Sequence, residues 1–126
     1  MSRLSVLAQR VAICRLSPDE EFPPWVQNVG LTAFVRTPDE FSVVCDERSV
    51  PDHIKAEKGW RILKVQGPLE FSQVGVLAAI AMPLAQAGVS IFAISTFDTD
   101  YILVKDTTLM LAIVVLRNTG HDVEVA

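Results

Sequence analysis

The segment STFDTD, residues 95–100, places two carboxylates and three hydroxyls around one aromatic ring, between two apolar runs. A plain hairpin needs only a dipeptide such as Asn-Gly or Asp-Gly. Carboxylates pair with an ammonium group, and hydroxyls orient such a group. The segment therefore predicts half of a binding site. The alternative is a hairpin that Asp98 and Thr99 close by side-chain bonds to the backbone.

A second segment, QGPLEFSQVG at residues 66–75, leads into a long apolar run and completes the candidate site. Ser72 is placed as the N-cap of a helix, and Gly75 in its first turn lets another group approach closely. The N–H groups at the start of a helix suit a carboxylate. The simpler interpretation is a tight turn at Gly67-Pro68 followed by a cap at Ser72.

The two segments must also come together. In a β-α-β-β unit we expect the turn before the first helix and the turn between the second and third strands to lie at opposite ends of the sheet. On this expectation one unit does not bring residues 67–75 and 94–100 to the same ligand. A cleft between two units would be required, lined by the start of the AISTFD segment.

Catalytic and metal-binding groups are scarce. His53 and His121 are far apart, and neither belongs to an HExxH or CxxC spacing. The chain contains neither a GxSxG elbow nor a GxxxxGK[ST] loop. Cys45 is followed by Asp46 and Glu47, with no neighbouring base to activate the thiol. We therefore predict a protein that is not an enzyme and needs no metal or cofactor.

The amino-acid composition argues against nucleic-acid binding, a membrane span and export. The 126 residues carry a net charge of −4 without a cluster of basic residues, so we expect no nucleic-acid partner. The longest uncharged run, 74–97, changes its period and contains Pro83, which favours a buried helix and strand over a membrane span. Arg10 and Arg15 interrupt the apolar core that an export signal needs, so we predict a cytoplasmic protein.

Reduced, buried cysteines and self-association follow from the same composition. Cys14 and Cys45 lie in apolar runs typical of strands, and we expect them to be small core residues. Half of the residues are apolar, which implies more buried surface than a monomer of this size easily provides. We therefore expect a homo-oligomer, most simply a dimer.

The chain reads as β-α-β-β-α-β twice. The long helix is predicted from Ser72 to a C′ glycine, Gly88, with a kink at Pro83. The second helix is capped by Asp106 or Thr107 and stops at Gly120; Leu109, Ala112, Ile113 and Leu116 form its buried stripe. In the first copy the helices are abbreviated, with one or two turns near Trp25 and a short helix from Pro51. The remaining apolar runs are strands, the first of them at residues 11–16.

An internal repeat supports this order. RTPDEFSVVCD, residues 36–46, aligns with STFDTDYILVK, residues 95–105, with one residue inserted in the second copy. Thr37 then falls on Thr96, and Asp39 on Asp98, which indicates turn-forming roles. Ser95 and the Thr99-Asp100 insertion belong to the second copy alone. We predict two repeats, residues 1–59 and 60–126, of an α+β, ferredoxin-like fold with antiparallel sheets and helices on one face.

The run from Gly59 to Lys105 resembles the ACT-domain family. The motifs GPLEFSxxG and STFDTDYILV carry the likeness, which is to small bacterial tandem-ACT proteins related to the CASTOR arginine sensors and to the ACT repeats of aspartate kinases. The first half is similar to a shortened ACT repeat. The resemblance implies a ferredoxin-like fold, no catalysis, and binding of a small-molecule effector, usually an amino acid, between ACT units. By position, Asp100 matches an aspartate at the amino-acid ligand of the sensors.

The leading hypothesis is a regulatory module that binds a small molecule, in particular an amino acid. Its carboxylate would meet the first-turn amides after Glu70, its ammonium would pair with Asp100, and its side chain would meet Phe71 or Phe97. The alternative is a protein–protein interaction module without a small-molecule ligand. The predicted ligand-binding residues are Gly67, Pro68, Leu69, Phe71, Ser72, Gly75, Ile94, Ser95, Thr96, Phe97 and Asp100.

Overall fold

The computed structural model describes residues 2–70 and 73–126, and these form two compact units. One unit, here called the helical unit, comprises Met1–Ala8 and Arg61–Ala126. The other, the strand unit, comprises Gln9–Trp60. The first strand, β1 (Arg3–Leu16), and the fourth, β4 (Ala56–Val65), each contribute residues to both units. The prediction placed the first strand at 11–16, so it missed residues 3–10, in which polar and apolar side chains alternate only from Arg3 to Val6.

The strand unit is built on an antiparallel hairpin. Strands β2 (Ala33–Arg36) and β3 (Phe41–Asp46) pair with each other, and β3 also pairs with β1 from Val11 to Leu16. One face of these strands is buried, with a core formed by Ala12, Cys14, Leu16, Phe41, Val43, Cys45 and Val50. The two cysteines are buried free thiols, as predicted.

The short helices predicted near Trp25 and Pro51 are not α-helices. The helical segment of the strand unit is a 3-10 helix, Glu47–Ser49. Residues 17–32 instead form turns and irregular backbone. Three prolines in this segment, at positions 18, 23 and 24, lack the N–H donor that a helix ladder needs. The predicted βαββαβ order is therefore not matched by α-helices in this half.

The helical unit has two helices against one face of a sheet. It continues with α1 (Val76–Gln86), β5 (Ile91–Ser95), β6 (Asp100–Lys105), a 3-10 helix (Asp106–Thr108), α2 (Leu109–Asn118) and β7 (Asp122–Val125). In this unit β7 is parallel to β1, which is followed across the sheet by β4, β6 and β5. The α+β architecture is confirmed. The core residues include Leu63, Val65, Ile80, Leu84, Ile102, Val104 and Leu116.

Both helices end at the predicted glycines. Gly88 has φ 78°, its N–H bonds to the Ala85 carbonyl, and the Val89 N–H bonds to the Leu84 carbonyl. These two bonds form a Schellman motif. Gly120 ends α2 in the same way, with φ 93°. The predicted stripe of α2 is also buried: Leu109, Ala112, Ile113 and Leu116.

The start of α1 differs from the prediction. The helix begins at Val76, and its N-cap is Gly75 with φ 82°, a conformation that favours glycine. The predicted cap, Ser72, lies outside the described residues. Thr108 is the N-cap of α2, because residues 106–108 form a separate 3-10 turn.

Pro83 lies inside α1, which continues to Gln86. A proline removes the donor for the carbonyl four residues earlier, here that of Ala79. His121 supplies the missing partner, because its Nε2 lies 3.0 Å from the Ala79 oxygen. None of the helices formed by residues 2–70 and 73–126 is long and apolar enough to cross a membrane.

Candidate functional site

The two predicted segments meet within the helical unit. The Leu69 N–H donates to the Asp98 carbonyl at 2.6 Å, and the Thr99 hydroxyl donates to the Val65 carbonyl at 2.7 Å. The expectation that they lie at opposite ends of the sheet is therefore wrong. Because α1 returns the chain across the sheet, β5 leaves in the same direction as β4. The end of β4 and the turn after β5 consequently share one edge of the sheet.

Gly67 permits this close approach. A Cβ atom at this position would lie 3.0 Å from the Asp98 carbonyl oxygen and 3.0 Å from the Thr99 Cβ. The peptide bond between Gly67 and Pro68 is cis. The glycine is thus required by the contact between the two loops.

The turn at residues 96–99 is a repeated structural element. The Thr96 hydroxyl accepts from the Thr99 N–H at 3.2 Å and donates to its carbonyl at 3.0 Å, while the Thr96 N–H bonds to the same carbonyl at 2.8 Å. Thr37 makes the equivalent three bonds with Glu40. Thr96 therefore shapes the turn, as the internal repeat predicted.

The predicted insertion between the two copies is absent. The turn has the same length in both hairpins, and the residue pairs that flank it are Arg36 with Phe41 and Ser95 with Asp100. Without an insertion, Phe41 of the first hairpin corresponds to Asp100 of the second. In the first hairpin the Arg36 guanidinium lies over the Phe41 ring, 4.0 Å from its centroid. In the second, the same two positions hold a hydroxyl and a carboxylate.

Ser95 and Asp100 form the polar pair of this site. The Ser95 Oγ donates to Asp100 Oδ1 at 2.6 Å across the hairpin. Asp100 is half-buried, whereas Ser95 is exposed. The hydroxyl fixes one carboxylate oxygen and leaves the second available to a cationic group.

A pocket of about 630 Å³ lies between the hairpin turn and the start of α1. Its lining residues come from both segments: Leu69, Glu70, Gln73, Gly75, Val76, Leu77, Ala78, Ala81, Ser95, Thr96, Phe97, Asp98, Thr99 and Asp100. The volume is in the range of small-molecule sites. Phe97 stands at this site with 78% of its surface exposed.

The predicted site residues divide into three groups. Leu69, Gly75, Ser95, Thr96, Phe97 and Asp100 line this pocket. Gly67 and Pro68 line two neighbouring depressions, of about 360 and 430 Å³. Ile94 lines neither the pocket nor these depressions, because alternate residues of a strand face opposite sides of the sheet. Phe71 and Ser72 lie outside the described residues.

Sequence reasoning missed several lining residues. Leu77, Ala78 and Ala81 belong to one face of α1, which an i, i+3, i+4 pattern from the true helix start would have identified. Thr99 was interpreted as a turn residue, yet it is 5% exposed and its hydroxyl ties the turn to β4. Glu70 and Gln73 lie in the loop that precedes the helix.

The charged side chains among the described lining residues of the pocket are all acidic. Its side chains include three carboxylates, those of Glu70, Asp98 and Asp100, and none of the described lining residues is basic. The first turn of α1 also has no acidic residue, and its N-cap glycine has no side chain to bond the helix amides. The positive end of the helix dipole therefore faces one part of the pocket, and the carboxylates surround another.

Comparisons with known proteins identify the family. The model of the ACT domain matches residues 55–118, and a second model, described as an N-terminal domain, matches residues 9–53. Subunit 1 of the human cytosolic arginine sensor for mTORC1 is 42% identical over 59 residues, which cover 46% of this chain and 18% of that protein. The chain thus matches about a fifth of the length of this curated relative.

Solved structures extend the match to the whole chain. A crystal structure of an Agobacterium tumefaciens protein has a TM-score of 0.94 at 34% identity, covering 99% of this chain and 93% of its own. The regulatory subunit of aspartate kinase from Thermus thermophilus, in its ligand-free form, has a TM-score of 0.63 at 10% identity, covering 93% and 97%. The second likeness concerns the fold alone. The chain belongs to the ACT domain family.

Proposed function

We propose that this chain is a non-catalytic regulatory module that binds a free amino acid in the pocket between α1 and the β5–β6 turn. The observation that carries the proposal is the joint lining of one pocket by a helix start and by the Ser95–Asp100 pair. A helix start binds carboxylates, and a fixed aspartate binds ammonium groups. An amino acid carries both groups.

The roles follow from these positions. The ligand carboxylate meets the backbone N–H groups of Val76, Leu77 and Ala78 in the first turn of α1. The α-ammonium pairs with Asp100, which Ser95 holds in place. The ligand side chain lies against Phe97. Phe71 and Ser72, which lie outside the described residues, stay predicted ligand contacts.

The charge of the pocket favours a basic side chain on the ligand. One carboxylate neutralises the α-ammonium, and Asp98 and Glu70 remain beside the bound molecule. A second cationic group on the ligand would complement them, whereas an acidic side chain would be repelled. The relative named for sensing arginine supports the same choice. Arginine and lysine are therefore the first ligands to test.

The proposal also includes two repeats within the chain, a cytoplasmic location and a homodimer. The hairpins of the two halves share their turn geometry, and two family models match separate segments, which supports repeats at residues 1–59 and 60–126. The word "cytosolic" in the name of the human relative supports a cytoplasmic location. A homodimer is the proposed assembly.

A thermal-shift and calorimetric screen of the twenty amino acids tests the proposal. A ligand that binds only the folded state adds RT ln(1 + [L]/Kd), about 2.7 kcal/mol at one hundred times Kd. We expect arginine or lysine to raise the Tm, and glutamate to leave it unchanged. Absence of a shift with every amino acid at millimolar concentration would contradict the proposal.

Asp100→Asn distinguishes a ligand contact from a structural role. This variant should lose the ligand-induced shift and keep nearly the apo Tm, because the amide still accepts the Ser95 hydrogen bond. Asp39→Asn, in the equivalent turn of the strand unit, is the control and should keep the shift. A large fall in the apo Tm of Asp100→Asn would show that the carboxylate is structural.

The alternative is a protein–protein interaction module. The exposed apolar side chains Met82, Met110 and Val114 of the two helices favour it. It predicts a complex that forms regardless of amino acids and survives Asp100→Asn.

A further inference from the structure

The outward face of α2 is apolar. Met110 is 71% exposed, Leu111 48% and Val114 49%, while the opposite face of the same helix is buried against the sheet. A helix at the surface of a globular protein normally has a polar outer face. A helix that is apolar on all sides is normally covered on all sides.

The neighbouring helix extends this surface. Met82 of α1 is 62% exposed, and Ala79 and Ala85, three residues to either side of it, are also exposed. The sequences of α1 and α2 contain one charged residue between them, Arg117 in the last turn of α2. We name the helix face the surface formed by the exposed residues Ala79, Met82 and Ala85 of α1 and Met110, Leu111 and Val114 of α2.

Charge indicates what covers the helix face. The chain has a net charge of −4, so two copies repel each other at most orientations. The helix face carries no carboxylate, so a second copy approaches there without repulsion. Two identical apolar faces also complement each other about a two-fold axis.

The residues at the two ends of α2 carry opposite charges. Arg117 is in its last turn, and Asp106 is in the 3-10 turn that precedes it, with 38% of the side chain exposed. The two residues are separated by about 16 Å along the helix, at 1.5 Å per residue. The exposed apolar residues lie midway between them. When two such helices pack antiparallel, each Arg117 faces the start of the other helix.

We propose that the helix face is the dimer interface of this protein, with α2 packed antiparallel on α2 of a second copy. The two-fold axis passes between Leu111 and Val114, so that Leu111 of each copy contacts Val114 of the other. Arg117, which donates to the Val123 carbonyl of its own chain at 2.7 Å, lies in each copy near Asp106 of the other, and Asp106 remains bonded to Arg61. Met82 and the alanines of α1 extend the contact.

The size of the surface sets the expected strength. Two helices, each about 16 Å long and about 10 Å wide, offer a smaller area than the ~800 Å² per partner of a standard interface. The expected dimer is therefore weak and in reversible equilibrium with the monomer. This proposal specifies the surface for the assembly proposed above and does not depend on ligand binding.

Sedimentation equilibrium from low to high micromolar concentration tests the interface. The wild-type chain should shift from monomer to dimer, and Leu111→Glu or Met110→Glu should remain monomeric, because each places two carboxylates at the axis. Val35→Glu, on a 58% exposed valine of the strand unit, is the matched control and should still dimerise. A wild-type monomer at every concentration, or a dimer that both helix variants preserve, overturns the proposal.

Cross-linking tests the geometry without a destabilising charge. An equimolar mixture of Leu111→Cys and Val114→Cys should form a disulfide-linked dimer on mild oxidation, because residue 111 of one copy faces residue 114 of the other, whereas Val35→Cys should not; the native cysteines are buried. Equal cross-linking of the mixture and of Val35→Cys overturns the proposed axis. The amino-acid screen is repeated on Leu111→Glu, where an unchanged ligand shift shows that the pocket and the interface are separate. If no amino acid raises the Tm of the wild-type chain, this result contradicts the proposed ligand pocket and leaves the proposed dimer interface unaffected.

Discussion

His121 and Ala79 are joined by a hydrogen bond that explains how a proline remains inside α1. The His121 Nε2 donates to the Ala79 carbonyl at 3.0 Å, while Nδ1 accepts from the Ser2 N–H at 3.3 Å. The second bond fixes the neutral tautomer with its proton on Nε2. His121 is 3% exposed, so its two bonds satisfy groups that water does not reach. The sequence alone offered no role for this histidine.

His121→Ala should lower the free energy of unfolding by about 1–3 kcal/mol, because the Ala79 carbonyl loses its donor. Pro83→Ala restores an N–H four residues after that carbonyl. The cost of His121→Ala should therefore be smaller in the Pro83→Ala background, which urea unfolding of the four chains measures as a coupling energy. Equal costs in the two backgrounds would show that the histidine does not substitute for the missing helix donor.

Thr99→Val should weaken ligand binding and also lower the free energy of unfolding. The substitution removes a buried hydroxyl and leaves the Val65 carbonyl without its 2.7 Å bond, a loss of about 1–3 kcal/mol. Thr96→Val, which removes a hydroxyl from an exposed residue of the same turn, should cost less. Denaturant unfolding gives the stabilities, and the ligand-induced shift gives the effect on binding. Equal losses for the two variants would contradict the role of Thr99 as the tie to β4.

Asp46 makes stability depend on pH at the acid end of the range. The Arg48 side chain, bonded to both carboxylate oxygens at 3.0 and 3.1 Å, holds the pKa of Asp46 below its ordinary value of 3.8, although burial acts in the opposite direction. A lowered pKa means that the folded state favours the charged form. The resulting stability is present above the ordinary pKa and is lost as pH falls through the lowered one.

Asp46→Asn should therefore unfold more easily than wild type at neutral pH, by about 1–3 kcal/mol, because the amide presents a donor to the Arg48 guanidinium. The difference should shrink in acid below the ordinary carboxyl pKa. Urea unfolding at neutral and acid pH measures it. Asp52→Asn, on an exposed turn residue, is the control for the loss of one carboxylate. A difference that stays constant with pH would show that ionisation of Asp46 is not its source.

Local patterns determined much of the fold. The alternation of apolar residues located most of the strands, and Gly88 and Gly120 fixed the helix ends because positive φ there favours glycine. The matching threonines of the two turns identified a repeated hairpin before its geometry was known. These features depend on neighbours in sequence, so they can be read from it.

Other features depended on contacts between residues that are distant in sequence. Leu4 and Val6 are buried because β1 extends into the helical unit, where β7, the last strand of the chain, pairs with residues 3–6. The short helix predicted near Trp25 did not form, since Pro18, Pro23 and Pro24 leave too few donors there. The sequence alignment placed an insertion in the second hairpin, whereas the structure pairs Ser95 with Asp100 across a turn as long as that between Arg36 and Phe41.

The sequence by itself determined which residues carry the polar chemistry of the candidate site. Only the tertiary structure decided that Leu69, Glu70 and the start of α1 line one pocket with residues 95–100, and that Thr99 and Gly67 hold the two loops together. The physical reason is the crossover helix α1, which sets β4 and β5 in the same direction. Their ends then lie at one edge of the sheet, 30 residues apart in sequence.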